Sequence, residues 1–166
     1  MTGCEEYMRM ALEEASLAAE AGDIPVGAVI VKDGRVIARG RNITESAKDP
    51  TCHAEINAIR AAAAELGGWR LFGCDMYVTL EPCAMCAGAI VLSRIDRLFI
   101  GTMDPKAGAC GSLRDLTSDE RLNHRVEVHT GILQPQCELL LKEFFRALRG
   151  KKKDMHRRNA QNEENP

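Results

Sequence analysis

His53-Ala54-Glu55 and Pro82-Cys83-Ala84-Met85-Cys86 contain one imidazole, one carboxylate and two thiols, and these groups decide both the expected fold and the expected chemistry of the chain. A structural zinc ion is enclosed by four protein ligands, whereas a catalytic zinc ion takes three and keeps one position for water. The two segments offer three nitrogen or sulfur ligands, and the carboxylate is left over. We therefore expect His53, Cys83 and Cys86 to bind one Zn²⁺ per subunit.

Both segments are expected to begin helices. Pro82 suits the first turn of a helix, because its missing N–H would have no partner there in any case. Cysteines three residues apart then share one helix face, with Cβ atoms roughly 5–6 Å apart, so both sulfurs can reach one ion. An alanine-rich run from Ala54 to Leu66 likewise puts His53 at a helix start. The partial positive charge at helix N-termini favours thiolate over thiol.

Glu55 follows His53 by two residues and is expected to project beside the metal from the first helical turn. We predict that Glu55 is the catalytic proton carrier. Zinc lowers the pKa of its bound water to around 7, and a carboxylate can move a proton from that water to a ring nitrogen and then to departing ammonia. Backbone N–H groups around Ala54 and Ala84 are expected to help bind the substrate.

Other interpretations of the individual residues remain open at this stage. A Cys-x-x-Cys pair alone also fits a redox site or half of a structural zinc site. His53 lies upstream of Cys83, however, with a strand-like segment at 74–80 between them, so the two helices can converge across a sheet. Cys52 is a possible substitute ligand, although a small packed residue at the helix start is the simpler interpretation.

The remaining elements alternate between helix and strand. Residues 26–32 and 35–41 flank Asp33-Gly34, which is a strong signal for a β-hairpin. Helices are predicted at 5–20, from 52, at 83–93 and at 139–149, with further strands at 74–80, 95–101 and 125–130. This order predicts an α/β protein, a three-layer α/β/α sandwich with a central five-stranded mixed sheet that opens on a hairpin and continues with parallel pairing. We expect one domain over 1–149 and a disordered basic and polar tail over 150–166.

Composition restricts the function classes. The chain has 166 residues, 45% of them hydrophobic, and no apolar run long enough to cross a membrane. Seven cysteines without a signal peptide favour the reducing cytoplasm. The net charge is −2, yet residues 142–158 carry eight Lys or Arg and two acidic residues. Such a run is usually a solvated face or tail, but it could also guide a phosphate backbone.

The sequence resembles the bacterial tRNA-specific adenosine deaminases, which have the cytidine deaminase-like fold, over residues 7–149. The paired H-x-E and P-C-x-x-C motifs are characteristic of zinc-dependent nucleobase deaminases in general. Further matching segments narrow the resemblance to the tRNA branch: Pro25-Val-Gly-Ala-Val29, Asp49-Pro-Thr51, Thr79-Leu-Glu-Pro-Cys-Ala-Met-Cys-Ala-Gly88, Asp104-Pro-Lys-Ala-Gly108, Gly111-Ser-Leu113, Asn123-His-Arg-Val-Glu127 and Phe144-Phe-Arg146.

This resemblance implies a homodimer that converts adenosine to inosine at the wobble position of a tRNA anticodon stem-loop, with arginine tRNA as the usual substrate. It implies that Asn42 binds the target base or its sugar and that Asp104 contacts a neighbouring ribose. Five further residues are candidates for RNA contact: Lys106, His124, Phe145, Arg146 and Arg149. Solvated surface charge, or a structural histidine at His124, explains these residues equally well. The final helix has fewer basic residues than many relatives carry.

Two other classes remain as alternatives. A deaminase of free guanine, cytosine or cytidine would use the same metal and the same Glu55, and only the loops around the pocket would differ. A non-catalytic zinc or redox module would keep Cys83 and Cys86 but would have no need of Glu55. The apolar run 87–92 gives support for a dimer, although burial within the monomer explains that run equally well.

Overall fold

The computed structural model describes residues 3–163. In chain order the helices and strands are α1 (Gly3–Glu20), β1 (Gly27–Lys32), β2 (Arg35–Arg41), α2 (Thr44–Ala47), α3 (Ala54–Leu66), β3 (Cys74–Leu80), α4 (Ala84–Leu92), β4 (Arg97–Thr102), β5 (Glu127–Thr130) and α5 (Gln134–Glu163). None of the helices in the described range is both long enough and apolar enough to cross a membrane.

The strands form one mixed sheet in the order β2-β1-β3-β4-β5. β1 pairs antiparallel with β2 and with β3, whereas β3, β4 and β5 are parallel neighbours. The β1–β2 turn places Asp33 at φ 49° and Gly34 at φ 74°, and two successive positive φ angles are the geometry of a type I′ hairpin. The predicted five-stranded sheet, which opens on a hairpin and continues with parallel pairing, is therefore confirmed.

Helices cover both faces of the sheet. Met8 and Ala11 of α1 and Cys137 of α5 pack with Val29 and Tyr77 on one face. The opposite face is covered by α3 and α4, which contribute Ala54, Ala58, Ala62, Ala87, Ile90 and Val91 to the hydrophobic core there. These two helix layers complete the predicted three-layer α/β/α sandwich. Small residues on both sides let α3 lie close to the sheet, where Gly40 faces Ala54 and Ala58. The N-termini of α3 and α4 meet, since their N-cap residues His53 and Cys83 are in contact.

Some boundaries differ from the sequence prediction. α5 begins at Gln134 rather than at 139, because Pro135 is tolerated in a first helical turn. It also continues past Gly150 to Glu163, through much of the segment predicted as a disordered tail, since Lys and Arg are good helix formers. Residues 151–155 are exposed, and 164–166 lie outside the described residues, so the domain boundary at 149 stays a prediction. β5 starts at Glu127 rather than at 125.

Candidate active site

The metal ligands predicted from the sequence lie at the N-termini of two helices. His53 is the N-cap residue of α3, and Cys83 is the N-cap residue of α4. Both have extended backbone angles, and neither side chain caps its own helix, so each is free to turn toward the other. Cys86 follows one turn later on α4 and is buried.

The three ligand atoms lie at distances that suit zinc. His53 Nδ1 is 3.6 Å from Cys83 Sγ and 3.5 Å from Cys86 Sγ, and all three ligand atoms are within 4.8 Å of one another. Tetrahedral zinc, with Zn–N of about 2.0–2.1 Å and Zn–S of about 2.3 Å, requires N···S separations of roughly 3.5 Å. The donor set therefore fits one zinc ion with a fourth position left for water. Cys52 is buried outside this group, which agrees with its interpretation as a packed small residue.

The two cysteines of the site share a proton unequally. Hydrogen bonds from the Cys86 thiol and from His53 lower the pKa of Cys83 to about 3. The same shared proton, together with burial, raises the pKa of Cys86 well above its usual range. The hydrogen bond with Cys83 also raises the pKa of His53. Cys83 is therefore the more easily ionised of the two thiols, and a bound cation would replace the proton between them.

Glu55 is buried beside this group in the first turn of α3. Burial raises its pKa from 4.5 to about 7, while a backbone hydrogen bond and the nearby His53 oppose the rise. A carboxyl with a pKa near the working pH is suited to accept and to donate protons in turn. Glu55 does not belong to the ligand group, so it is available for this role.

A cavity of about 210 Å³ opens over His53, Glu55 and Cys83. Its apolar lining comes from Ile24, Val26, Ala54, Leu80 and Ala107, and its other polar lining from Asn42, Thr44, Glu81 and Asp104. An apolar pocket with a few polar groups beside titratable residues is the usual form of a small-molecule or base-binding site. The predicted substrate residues Asn42, Ala54 and Asp104 line this cavity, whereas Ala84 lies exposed at the start of α4 and outside the lining.

Asn42 lines this cavity and carries a buried acceptor without a hydrogen-bond partner among the described residues. Its Nδ2 donates to the carbonyl oxygen of Ile24 at 3.2 Å, which fixes the orientation of the amide. Its Oδ1 is buried and has no hydrogen-bond partner among the described residues. A buried acceptor without a partner costs about 1–3 kcal/mol, so a ligand that donates to it would recover that energy.

Most of the predicted RNA contacts lie together beside the cavity. Lys106, Phe145, Arg146 and Arg149 line a groove of about 440 Å³ between the loop after β4 and α5. Lys106 and Phe145 also line a neighbouring depression that includes Asp104, so the groove leads to the cavity. The structure therefore brings these four residues onto one surface.

His124 lies elsewhere. Its Nε2 makes a 2.7 Å hydrogen bond with the carbonyl oxygen of Ile95, which precedes β4. The cavity is at the opposite end, where β3 leads to Cys83 and β4 leads to Asp104. This hydrogen bond supports the structural interpretation of His124 that the sequence left open.

Sequence reasoning did not assign six of the residues that line the cavity. They are Ile24, Val26, Thr44, Leu80, Glu81 and Ala107, and Glu81 is almost fully buried. The sequence position of Glu81 could have indicated a buried carboxylate, because an acidic residue directly after a buried strand needs hydrogen-bond partners. The combination of this fold with the His53, Cys83, Cys86 and Glu55 group defines a hydrolytic nucleobase deaminase.

Comparison with known proteins places the chain within that class. The MafB19-like deaminase family matches residues 3–149. The chain is 49% identical to the tRNA-specific adenosine deaminase of Bacillus subtilis over 153 residues, which cover 92% of this chain and 95% of that protein. It is 48% identical to the protein of the same name from Haemophilus influenzae over 150 residues, covering 90% and 87%. The chain belongs to the tRNA-specific adenosine deaminase family.

Solved structures agree with this placement. A structure from work on A-to-I editing by tRNA:A34 deaminases at the wobble position of transfer RNA matches with a TM-score of 0.79 and 47% identity, covering 82% of this chain and 99% of that chain. A guanine deaminase from Bacillus subtilis matches with a TM-score of 0.60 and 33% identity, covering 88% and 93%. Because the fold is shared with a guanine deaminase, the fold alone does not select the substrate.

Proposed function

We propose that this protein is a zinc-dependent enzyme that hydrolyses adenosine to inosine at the wobble position of a tRNA anticodon, with arginine tRNA as its substrate. The observation that carries the proposal is the 45–49% identity, over most of the chain, to relatives named tRNA-specific adenosine deaminase. The intact group of His53, Cys83, Cys86 and Glu55 supports it, since that is the group the reaction requires.

The chain's own residues suit the proton transfers of this reaction. A zinc ion held by His53, Cys83 and Cys86 would supply a water activated at neutral pH. The Glu55 carboxylate accepts a proton from that water and delivers it to the ring nitrogen beside the amino-bearing carbon, as the water oxygen bonds to that carbon. It then takes the proton of the new hydroxyl and passes it to the amino group, which leaves as ammonia when the C–N bond breaks. Burial, which raises the pKa of Glu55, makes its carboxylate a better proton acceptor than an exposed one.

Asn42 and the apolar lining suit a flipped-out purine. The free Oδ1 of Asn42 can accept a hydrogen bond from the base or its ribose, while Val26 and Leu80 exclude water from the ring. Bases that are processed by deaminases enter such a pocket only after leaving the stack. The carboxylate of Asp104 lies at the rim, where it can accept a hydrogen bond from a neighbouring 2′-hydroxyl and so favour RNA over DNA.

The groove between the loop after β4 and α5 suits the anticodon stem-loop. Lys106, Arg146 and Arg149 place positive charge along it, and Phe145 offers a partly exposed ring. Basic side chains neutralise phosphates, and aromatic rings stack on splayed bases. These features support RNA contact by the four residues, in agreement with the resemblance stated from the sequence.

We further propose a homodimer and a cytoplasmic location. Ala87, Ile90 and Val91 of α4 are buried within the monomer, so the monomer core accounts for much of the apolar run. Leu92 and Met85, however, are 66% and 38% exposed, and such side chains are suited to a subunit interface. Every cysteine of the chain is free in the structure, which fits a reducing compartment.

The decisive assay compares deamination of an anticodon stem-loop carrying adenosine at the wobble position with deamination of free adenosine, cytidine and guanine. We expect inosine in the stem-loop and little turnover of the free compounds. Glu55→Ala should abolish turnover while zinc content stays near one per subunit. Preferential turnover of a free base or nucleoside would contradict the proposal and identify the protein as a deaminase of free bases or nucleosides.

A further inference from the structure

Glu81 is a buried carboxylate that the proposed mechanism does not use. It lies between the end of β3 and the metal ligand Cys83, and its side chain is 2% exposed. A carboxylate in such a place needs hydrogen bonds from the protein. All the side-chain hydrogen bonds that the structure gives it come from one loop, residues 103–113, which we call the rim loop.

Donors from the rim loop converge on both oxygens of Glu81. Oε1 accepts the backbone N–H groups of Cys110 and Ser112, each at 3.0 Å. Oε2 accepts the backbone N–H of Asp104 at 2.8 Å and the hydroxyl of Ser112. Gly108 packs so closely that a Cβ there would lie 2.1 Å from Oε2. The rim loop is therefore wrapped tightly around this one side chain.

Asp104 connects the hydrogen bonds of Glu81 to the cavity, because it belongs to the rim loop and also lines the cavity. Its backbone N–H is bound to Glu81, and its Oδ1 accepts the N–H groups of Lys106 at 2.9 Å and Ala107 at 3.3 Å. Among the described residues, its Oδ2 has no hydrogen-bond partner, and Asp104 lines the cavity. Both the backbone and one side-chain oxygen are thus fixed, which leaves one oxygen for a ligand.

We propose that Glu81 is a positioning residue that holds Asp104 at the cavity rim for contact with the ribose of the nucleotide next to the target base. This inference rests on the proposed action on tRNA. Glu81 acts through the rim loop and touches no reacting atom. Its loss therefore weakens RNA binding more than it slows the chemical step.

Glu81→Gln tests the proposed positioning of Asp104, because it selectively removes the hydrogen bond between the Asp104 N–H and the side chain at position 81. The amide keeps the size of the side chain but has one acceptor oxygen and one NH₂ group. The oxygen is best placed at the Oε1 position, because Cys110 and Ser112 both donate backbone N–H groups there. The NH₂ then occupies the Oε2 position, where the Ser112 hydroxyl can reverse and accept, whereas the N–H of Asp104 loses its acceptor.

The first measurement is steady-state kinetics on the anticodon stem-loop. In Glu81→Gln we expect KM to rise about tenfold or more, the effect of one lost hydrogen bond to a charged group, with kcat and zinc content nearly unchanged. Ser112→Ala is the matched control: it removes the hydroxyl donor but keeps the Asp104 bond, so KM should change about twofold or less. An unchanged KM in Glu81→Gln, or a fall of kcat together with zinc content, overturns the proposal.

Amide hydrogen exchange provides a second measurement that does not depend on the substrate. In Glu81→Gln the amide of Asp104 should exchange faster, while those of Cys110 and Ser112 stay protected; equal protection of all three overturns the proposal. If the wild type fails to deaminate the stem-loop, the proposed function fails, and this exchange pattern still decides whether Glu81 anchors Asp104. Should Glu81→Gln fail to fold, the wild-type protein still tests the anchor: the amides of Asp104, Cys110 and Ser112 should all be protected from exchange, and fast exchange at Asp104 overturns the proposal.

Discussion

Replacing Glu55 by glutamine should stabilise the metal-free protein at alkaline pH while abolishing deamination. Glu55 is buried, and burial raises its pKa from 4.5 to about 7. The folded state therefore holds a proton on this carboxyl between about pH 4.5 and pH 7, where the unfolded chain has already released it. Folding is consequently penalised as the pH rises through this window, and the penalty is complete above pH 7.

The size of the penalty follows from the two pKa values. The difference between 4.5 and about 7 corresponds to about 3 kcal/mol, at 1.36 kcal/mol for each tenfold change in proton affinity. Glutamine has the same shape but no charge, so it escapes the penalty. We expect no stability difference from this source at pH 4, where Glu55 is protonated in both states, and a gain of up to about 3 kcal/mol at pH 8.

Urea unfolding of chelator-treated, reduced protein across pH 4–8.5 measures this difference directly. Glu20→Gln, at an exposed position on α1, controls for the removal of a negative charge. A Glu55→Gln gain that is equal at pH 4 and at pH 8 would refute the reasoning from burial. Destabilisation by this variant at pH 8 would refute it as well. In the zinc-loaded enzyme the same variant should lose deamination by a factor of about 10² or more.

Other predictions concern packing, metal and RNA. Gly40→Ala should destabilise the fold by about 3 kcal/mol or more in urea unfolding, because its Cβ would lie 2.3 Å from the carbonyl oxygen of Ala54. Gly68→Ala is the control and should be nearly neutral, because no atom lies near its Cβ position. Cys86→Ser should lower zinc content from one per subunit to near zero by atomic absorption, and retention of full zinc would contradict its place among the ligands. Arg149→Ala should reduce the slope of log affinity against log salt by about 1 for any tRNA stem-loop, and an unchanged slope would remove this side chain from the phosphate contacts.

Local signals in the sequence predict much of this fold. Asp33-Gly34 predicts a tight hairpin because both positions tolerate positive φ, and the structure has positive φ at both. Pro82 predicts a helix start, and the next residue, Cys83, is the N-cap residue of α4, although Pro82 precedes the first turn rather than lying in it. In each case the determining interaction is between residues that are close in the sequence.

Features that depend on distant residues were not predictable in this way. α2 is a single short turn beside the cavity, and the buried Asp23, far away in the sequence, accepts hydrogen bonds from the backbone of Glu45 and Ser46 at its start. The same holds for the unpartnered acceptor of Asn42 and for the hydrogen bonds between Glu81 and the rim loop, which form only in the folded chain. Neither the hydrophobic periodicity nor the composition of the sequence predicts such contacts.

β2 forms one open border of the sheet and carries Arg35, Arg39 and Arg41 on exposed positions. Arg39 and Arg41 form ion pairs with Glu13 and Glu14 of α1, which hold these cations along that border. Like charges along an edge strand repel a second copy of the same edge and so discourage continuous sheet growth between molecules. These charges therefore disfavour strand addition at the β2 edge, and they protect the free backbone groups of that edge from aggregation.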